Sequence, residues 1–425
     1  MTIVDSKKLA ENASAAIQDA LDGDREVFVP DIGAPLVLDR PIVLDSFRHL
    51  KFAETAVIRM KSGCGGCMLR SRRLADGRHE PVPAFGRDTG MSVEGGIWED
   101  SAREPSPNDP DPLMRDFSKN ILGVLFFCHC DHVSVRNLTL RRGEQYGLLM
   151  TDCYDFTVEN LFFDDYRKDG VHVNGPAARG LIQDLRGRCG DDFVALNAWD
   201  WCTSAVSFGA ISDILVRRLS CTKDEIRLLP GRKTYEDGRQ TDCPVCDCVF
   251  EDIENVYCFK LYQQPNCHNK EWHLNDMSDI PGSVSRVLFR NVRLSTLTET
   301  GFGTIHPDAL FEMGADCEDV TVENLNAEVS ARDFEKAGMT VSDIGPKSAT
   351  WKRGDDPENW CELFQPDLVC RADRITFRNV RLGGVPCRDK ALLTKEKHLT
   401  LNPDYPATTP QGGTGYGILG EVTIE

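Results

Sequence analysis

Apolar positions recur along this chain in a short alternating pattern that returns at a regular interval. Val133-Ser134-Val135-Arg136-Asn137-Leu138 is followed by Phe156-Thr157-Val158-Glu159-Asn160-Leu161 and Gly180-Leu181-Ile182-Gln183-Asp184-Leu185, with later copies starting at Ile214, Cys248, Val287, Val320 and Ile375. Each copy reads roughly apolar, any, apolar, charged or polar, Asn or Asp, apolar. Alternation over so few residues predicts a half-buried strand, and a fixed period predicts units that stack to bury a continuous core. A parallel β-helix meets both conditions, so the expected class is all-β. A leucine-rich repeat has a similar period but needs a regular Leu ladder, which is missing. The first two intervals are 23 and 24 residues and the later ones run from 33 to 55. Insertions therefore separate strands whose pattern persists, and in repeat folds they collect on one face, often the binding face.

The N-terminal part has a different period. Leu9, Ala13, Ala16, Ile17 and Leu21 fall at helical spacing between Lys7 and Leu21, with Gly23 as a stop. A short amphipathic helix within residues 1–25 is expected to cap the open end of the solenoid, whose strand edge would otherwise invite aggregation. Val27-Phe28-Val29-Pro30, Ile42-Val43-Leu44 and Ala56-Val57-Ile58 read as the first coils. The stretch 72–112 is rich in Pro, Gly, Asp and Glu and reads as a long loop or flap. No linker interrupts the coils, so residues 1–425 are expected to form one elongated domain.

Charge and cysteine content narrow the classes. A formal net charge of −18 argues against a nucleic-acid partner, since phosphate contacts need clustered Lys and Arg. It also disfavours a polyanionic substrate unless the cleft is locally basic. No apolar run reaches transmembrane length and no export signal opens the chain, so a cytoplasmic protein with no membrane partner is expected. The 17 cysteines include Cys64-Gly65-Gly66-Cys67, Cys128-His129-Cys130 and Cys243-Pro244-Val245-Cys246-Asp247-Cys248. No CxxC unit has a partner at zinc-finger distance, so core packing is preferred and no metal or other cofactor is expected.

Two acidic motifs, Lys168-Asp169-Gly170 and Gly190-Asp191-Asp192, occupy the same phase of the repeat. Aligning Asp169 to Asn174 with Asp192 to Asn197 puts Val171 over Val194 and Val173 over Leu196, and brings Asp169 beside Asp192. Ile226-Arg227-Leu228 and Phe259-Lys260-Leu261 continue this ladder, giving an outward column of His172, Ala195, Arg227 and Lys260. Strands lie about 4.8 Å apart, so an imidazole and two cations are expected beside three carboxylates. Such a set suits glycosidic cleavage: one carboxyl protonates the leaving oxygen while the others hold and deprotonate water. A separation of roughly 6.5–9.5 Å would leave room for that water and invert the anomeric centre.

These motifs, with Ser92-Val93-Glu94-Gly95-Gly96-Ile97-Trp98, resemble the family 28 glycoside hydrolases, the polygalacturonase group of the pectin-lyase-like β-helix superfamily, over most of the chain. The resemblance implies a right-handed parallel β-helix with Asp191 as general acid, Asp169 and Asp192 as the water-activating pair, and Lys260 as the lysine of the last motif. Arg167-Lys168 stands where that family has Asn-Thr, Asp224-Glu225-Ile226 where it has Gly-His-Gly, and Cys258 replaces its arginine. His172 and Arg227 are the nearest stand-ins for the missing histidine and arginine.

Asn197, Trp201, Tyr262 and Gln264 follow the active-face strands and complete the expected substrate-binding set with His172, Arg227 and Lys260. Insertions that close one end of a cleft favour exo-action on an oligosaccharide or glycoside. Two other classes stay open: a lyase or epimerase taking a proton beside a uronate carboxylate through Lys260 or Arg227, often with Ca²⁺, and a non-catalytic carbohydrate-binding solenoid. The sequence neither requires nor excludes a homo-oligomer.

Overall fold

The structure is a computed structural model that describes residues 1–61, 67–73, 86–100, 123–143, 145–164, 166–200, 207–234, 237–262, 266–267, 281–297, 307–346, 348–352, 360–364, 369–399 and 415–425. Among these, 28 strands join in one hydrogen-bonded sheet that winds as a right-handed parallel β-helix. Each coil contributes to three parallel ladders. The first contains Ile42–Leu44, Leu69–Ser71, the opening halves of Gly123–Arg136, Tyr146–Glu159 and Val171–Gly187, then Asp192–Asn197 and the ends of Ile211–Leu229 and Val245–Tyr262, and finally Ala309–Gly314, Thr340–Ile344 and Thr394–Glu396. The second starts at Thr2–Ile3, continues through Glu26–Val29 and uses the later halves of the same long strands. The third runs through Leu36–Leu38, Val57–Met60, Ile97–Glu99, Thr139–Arg141 and Phe162–Asp164.

Stacking in register is what makes the short apolar alternation sufficient. Val135, Val158, Ile182, Val216, Phe250, Phe289, Val322 and Phe377 form one inward column on the second ladder, all buried. Phe250 stacks on Phe289, and Phe259 on Phe311, at centroid distances of 5.1 and 4.7 Å, a spacing that identical faces one rung apart impose. The Asn or Asp of the repeat turns the corner between the second and third ladders: Asn137, Asn160, Asp184, Asp252, Asn291, Asn324 and Asn379 all have φ between 49° and 59°. Asn and Asp tolerate that left-handed region better than other non-glycine residues. The corner side chains also bond along the solenoid, as from Asn160 to Asn137, Asn324 to Asn291 and Asn379 to Asn324 at 2.8–3.0 Å.

Two expectations are corrected. The N-terminal cap is two helices, α1 (Ser6–Glu11) and α2 (Ala13–Gly23), because Asn12 leaves the helical region and serves both ends: its N–H bonds Lys8 O and its side chain accepts from Ala15 N. The side chain of Gln18 in α2 accepts from Val43 N at 2.9 Å and donates to Val43 O at 3.1 Å. In the stretch read as a loop, Asp88–Glu94 and Ile97–Glu99 are strands that pair on both sides. Their period-2 alternation is masked by the surrounding Gly and Pro. Residues 74–85 and 101–112 lie outside the described set.

Thirteen described cysteines are all free and eleven are buried, packing the interior as expected. No described helix is long and apolar enough to cross a membrane.

Candidate active site

The two acidic motifs sit where two successive coils enter the first ladder, and their glycines are there because backbone passes too close for a side chain. A Cβ at Gly170 would lie 2.7 Å from Phe193 O, and one at Gly190 only 2.3 Å from Arg167 O. The chain can therefore cross from the third ladder tightly enough to bring Asp169 against the next coil. The observed register is the expected one, with Val171 paired to Val194, His172 to Ala195, Ala195 to Arg227 and Arg227 to Lys260.

A bulge completes the site. Between Asp192 and Val194 the pairing with the next strand shifts by one residue. Phe193, the extra residue, turns into the core against Phe163 at 5.5 Å. Strict alternation from the inward Val194 would have buried Asp192 inside; the bulge frees it to face Arg227, whose Nε is 3.0 Å from Asp192 Oδ2. Asp169, Asp191 and Asp192 then each present an oxygen within 4.8 Å of the others. The carboxylate oxygens therefore converge, closer than the roughly 6.5–9.5 Å that would leave room for a water between them. This is the sole cluster of metal-ligand spacing among the described residues, but two cations already compensate it: Lys168 Nζ is 3.2 Å from Asp191 Oδ2, and Arg227 Nη2 is 3.6 Å from Asp191 Oδ1.

The three carboxyls differ electrostatically. Burial pushes Asp192 up to about 7, with Asp191 and Asp169 adding to the rise against the pull of Arg227. Burial acts on Asp191 too, but Lys168, then Arg227 and Lys260, outweigh it and hold that carboxyl at about 2. Asp169 is raised by burial and by Asp191, with His172 opposing. Asp192 and Asp169 therefore hold a proton more readily than Asp191 does. Such close groups titrate as a set.

Asp169 is supported from behind. His172 Nδ1 contacts Asp169 Oδ2 at 2.5 Å and Nε2 contacts Asp200 Oδ2 at 2.6 Å, while Tyr146 stacks on the imidazole at 4.1 Å and 12°. Burial would lower the imidazole, but Asp200 and Asp169 raise it to about 10, so it is an imidazolium. His172 is 1% exposed, and the structure places it behind Asp169 rather than among substrate-binding groups. Asn197 is likewise buried, its Nδ2 3.4 Å from His172 Nε2.

The other expected residues divide. Arg227 and Lys260 do flank the carboxylates, but both are engaged: Lys260 pairs with Glu225, and Arg227 spans Asp191, Asp192 and Glu225. Glu225 also accepts from Tyr257 OH. Tyr262, half-buried at the end of the Lys260 strand, is raised by burial and held back by Arg227. Trp201 and Gln264 lie outside the described residues. Trp199 packs on Phe208 at 4.9 Å.

Sequence reasoning did not select Glu225, Asp200, Lys168, Tyr146 or Tyr257 as site residues. Extending the Asp169 to Asp192 register by one rung finds Glu225, which pairs directly with Asp192. Asp200 lies in an insertion beyond its strand, so no periodicity points to it.

A right-handed parallel β-helix whose first ladder carries a carboxylate cluster is the class that fold and site define. The polygalacturonase of Erwinia carotovora ssp. carotovora has this fold, at a TM-score of 0.53 and 13% identity over 90% of this chain and 94% of that one. So does the endo-xylogalacturonan hydrolase of Aspergillus tubingensis, at 0.52 and 12% over 100% and 99%. No family model and no curated protein matches the sequence.

Proposed function

We propose that the chain is a glycoside hydrolase that uses water as nucleophile, inverts the anomeric centre and acts on the ends of oligosaccharides. The observation that supports this most is the convergence of three carboxylates of unequal proton affinity at one point of the first ladder. Asp191, with 16% of its side chain exposed, reaches the groove, whereas Asp192 and Asp169 stay deep at 1% and 4%. Asp192 holds the proton; Asp191 receives it across the cluster and passes it to the leaving oxygen. Asp192, now ionised beside Asp169, takes the proton of the attacking water and returns to its starting state.

The close spacing taken alone fits a retaining pair, for which about 5–5.5 Å is usual. Depth favours inversion: neither Asp169 nor Asp192 is exposed enough to reach an anomeric carbon, so water they activate makes the attack. Likeness in fold to a polygalacturonase and an endo-xylogalacturonan hydrolase agrees with a glycosidase. The reading is tested by screening purified protein against a panel of oligosaccharides for new reducing ends, with Asp191→Asn as control. Products carrying a new double bond would indicate elimination, and no turnover on any sugar would leave a binding solenoid.

A further inference from the structure

The cations of the groove are the parts that would recognise an acidic sugar, and in this chain each is already neutralised. Lys260 is paired with Glu225, a residue 4% exposed that also holds the Tyr257 hydroxyl. Arg227 lies between Asp191, Asp192 and Glu225 with 14% of its side chain exposed. Lys168 is held by Asp191, and the His172 imidazolium by Asp169 and Asp200. Four cations thus face Asp169, Asp191, Asp192, Asp200 and Glu225. A uronate carboxylate entering beside them would have to displace Glu225 from Lys260 and leave that buried carboxylate with only the more distant Arg227 and the Tyr257 hydroxyl, and breaking such a pair is costly. Hydroxyls need no displacement: an ammonium–carboxylate pair offers donors and acceptors with no net charge.

We infer that this groove takes neutral sugars beside the scissile bond and rejects uronic acids, with Glu225 as the specificity-determining residue that cancels Lys260. The inference rests on the hydrolase reading for its location and deepens it by naming the substrate class.

The test is calorimetric binding of matched pairs of disaccharides, galactose with galacturonate, glucose with glucuronate and mannose with mannuronate, to the intact protein, followed by hydrolysis of the same pairs. Wild type is expected to bind the neutral member of its preferred pair at least about tenfold more tightly, the scale of one charge-assisted contact. Glu225→Gln frees Lys260 and is expected to move the ratio about tenfold towards the uronate. Equal or tighter uronate binding by wild type overturns the inference, whether or not the variant folds. An unchanged ratio in a folded Glu225→Gln protein overturns the role of Glu225. Neutral sugar bound but never cleaved supports the inference and sinks the hydrolase reading, and binding of neither member overturns both.

Discussion

Replacing His172 by Phe keeps a flat ring against Tyr146 and removes the charge between two buried carboxylates. In the native protein both ring nitrogens are occupied, by Asp169 at 2.5 Å and Asp200 at 2.6 Å. The interval from the ordinary 6.5 to about 10, at 1.36 kcal/mol per pH unit, corresponds to about 4–5 kcal/mol of preference for the imidazolium. That agrees with about 3–5 kcal/mol for breaking a buried ion pair. Because the folded-state value is raised, this stability is fully present below pH 6.5 and is lost as pH rises through about 10. Urea unfolding should therefore show His172→Phe less stable by about 3–5 kcal/mol near pH 6, with the deficit shrinking towards pH 10. A deficit below about 1 kcal/mol, or one that does not change with pH, would refute a doubly bonded imidazolium.

Asp169→Asn, Asp191→Asn and Asp192→Asn should each lower turnover by at least about a hundredfold with circular dichroism unchanged; near-normal turnover in any of them removes its role. The rate should fall as pH rises through about 7, where Asp192 loses its proton, and a pH–rate profile flat from 5 to 9 would contradict that. Because the folded state holds that proton while the unfolded chain releases it near 3.8, Asp192→Asn should stabilise the protein above pH 7 and have little effect near pH 4, which thermal melts will show. Gly190→Ala puts a Cβ 2.3 Å from Arg167 O and should cost about 1–3 kcal/mol of stability as well as turnover, whereas an unperturbed melt would mean that the corner can open.

The solenoid and the site column were legible because period-2 alternation decides which side chains share a face, and stacking carries that choice from coil to coil. Val171 over Val194 and Arg227 beside Lys260 follow from it. What alternation cannot express stayed hidden. The extra residue at Phe193 changes the phase by one, so the outward aim of Asp192 depends on a bulge with no pattern of its own. Asn12 breaks the N-terminal helix by capping, which competes with an uninterrupted apolar stripe. Lys260 read as a free cation because Glu225 becomes its neighbour only through the winding of the chain, whereas Glu225 stands two residues before Arg227 on one strand. Asp200 reaches His172 from an insertion 28 residues away.

Proton NMR of the first minutes of hydrolysis tests the central claim directly, because it records the anomer released before mutarotation mixes the two. Under the proposed mechanism, water activated by Asp169 and Asp192 approaches from the face opposite the leaving oxygen, so the product should appear with inverted configuration. Initial accumulation of the retained anomer would contradict this, making one carboxylate a nucleophile and the tight spacing a covalent site, and an unsaturated product would replace hydrolysis by elimination.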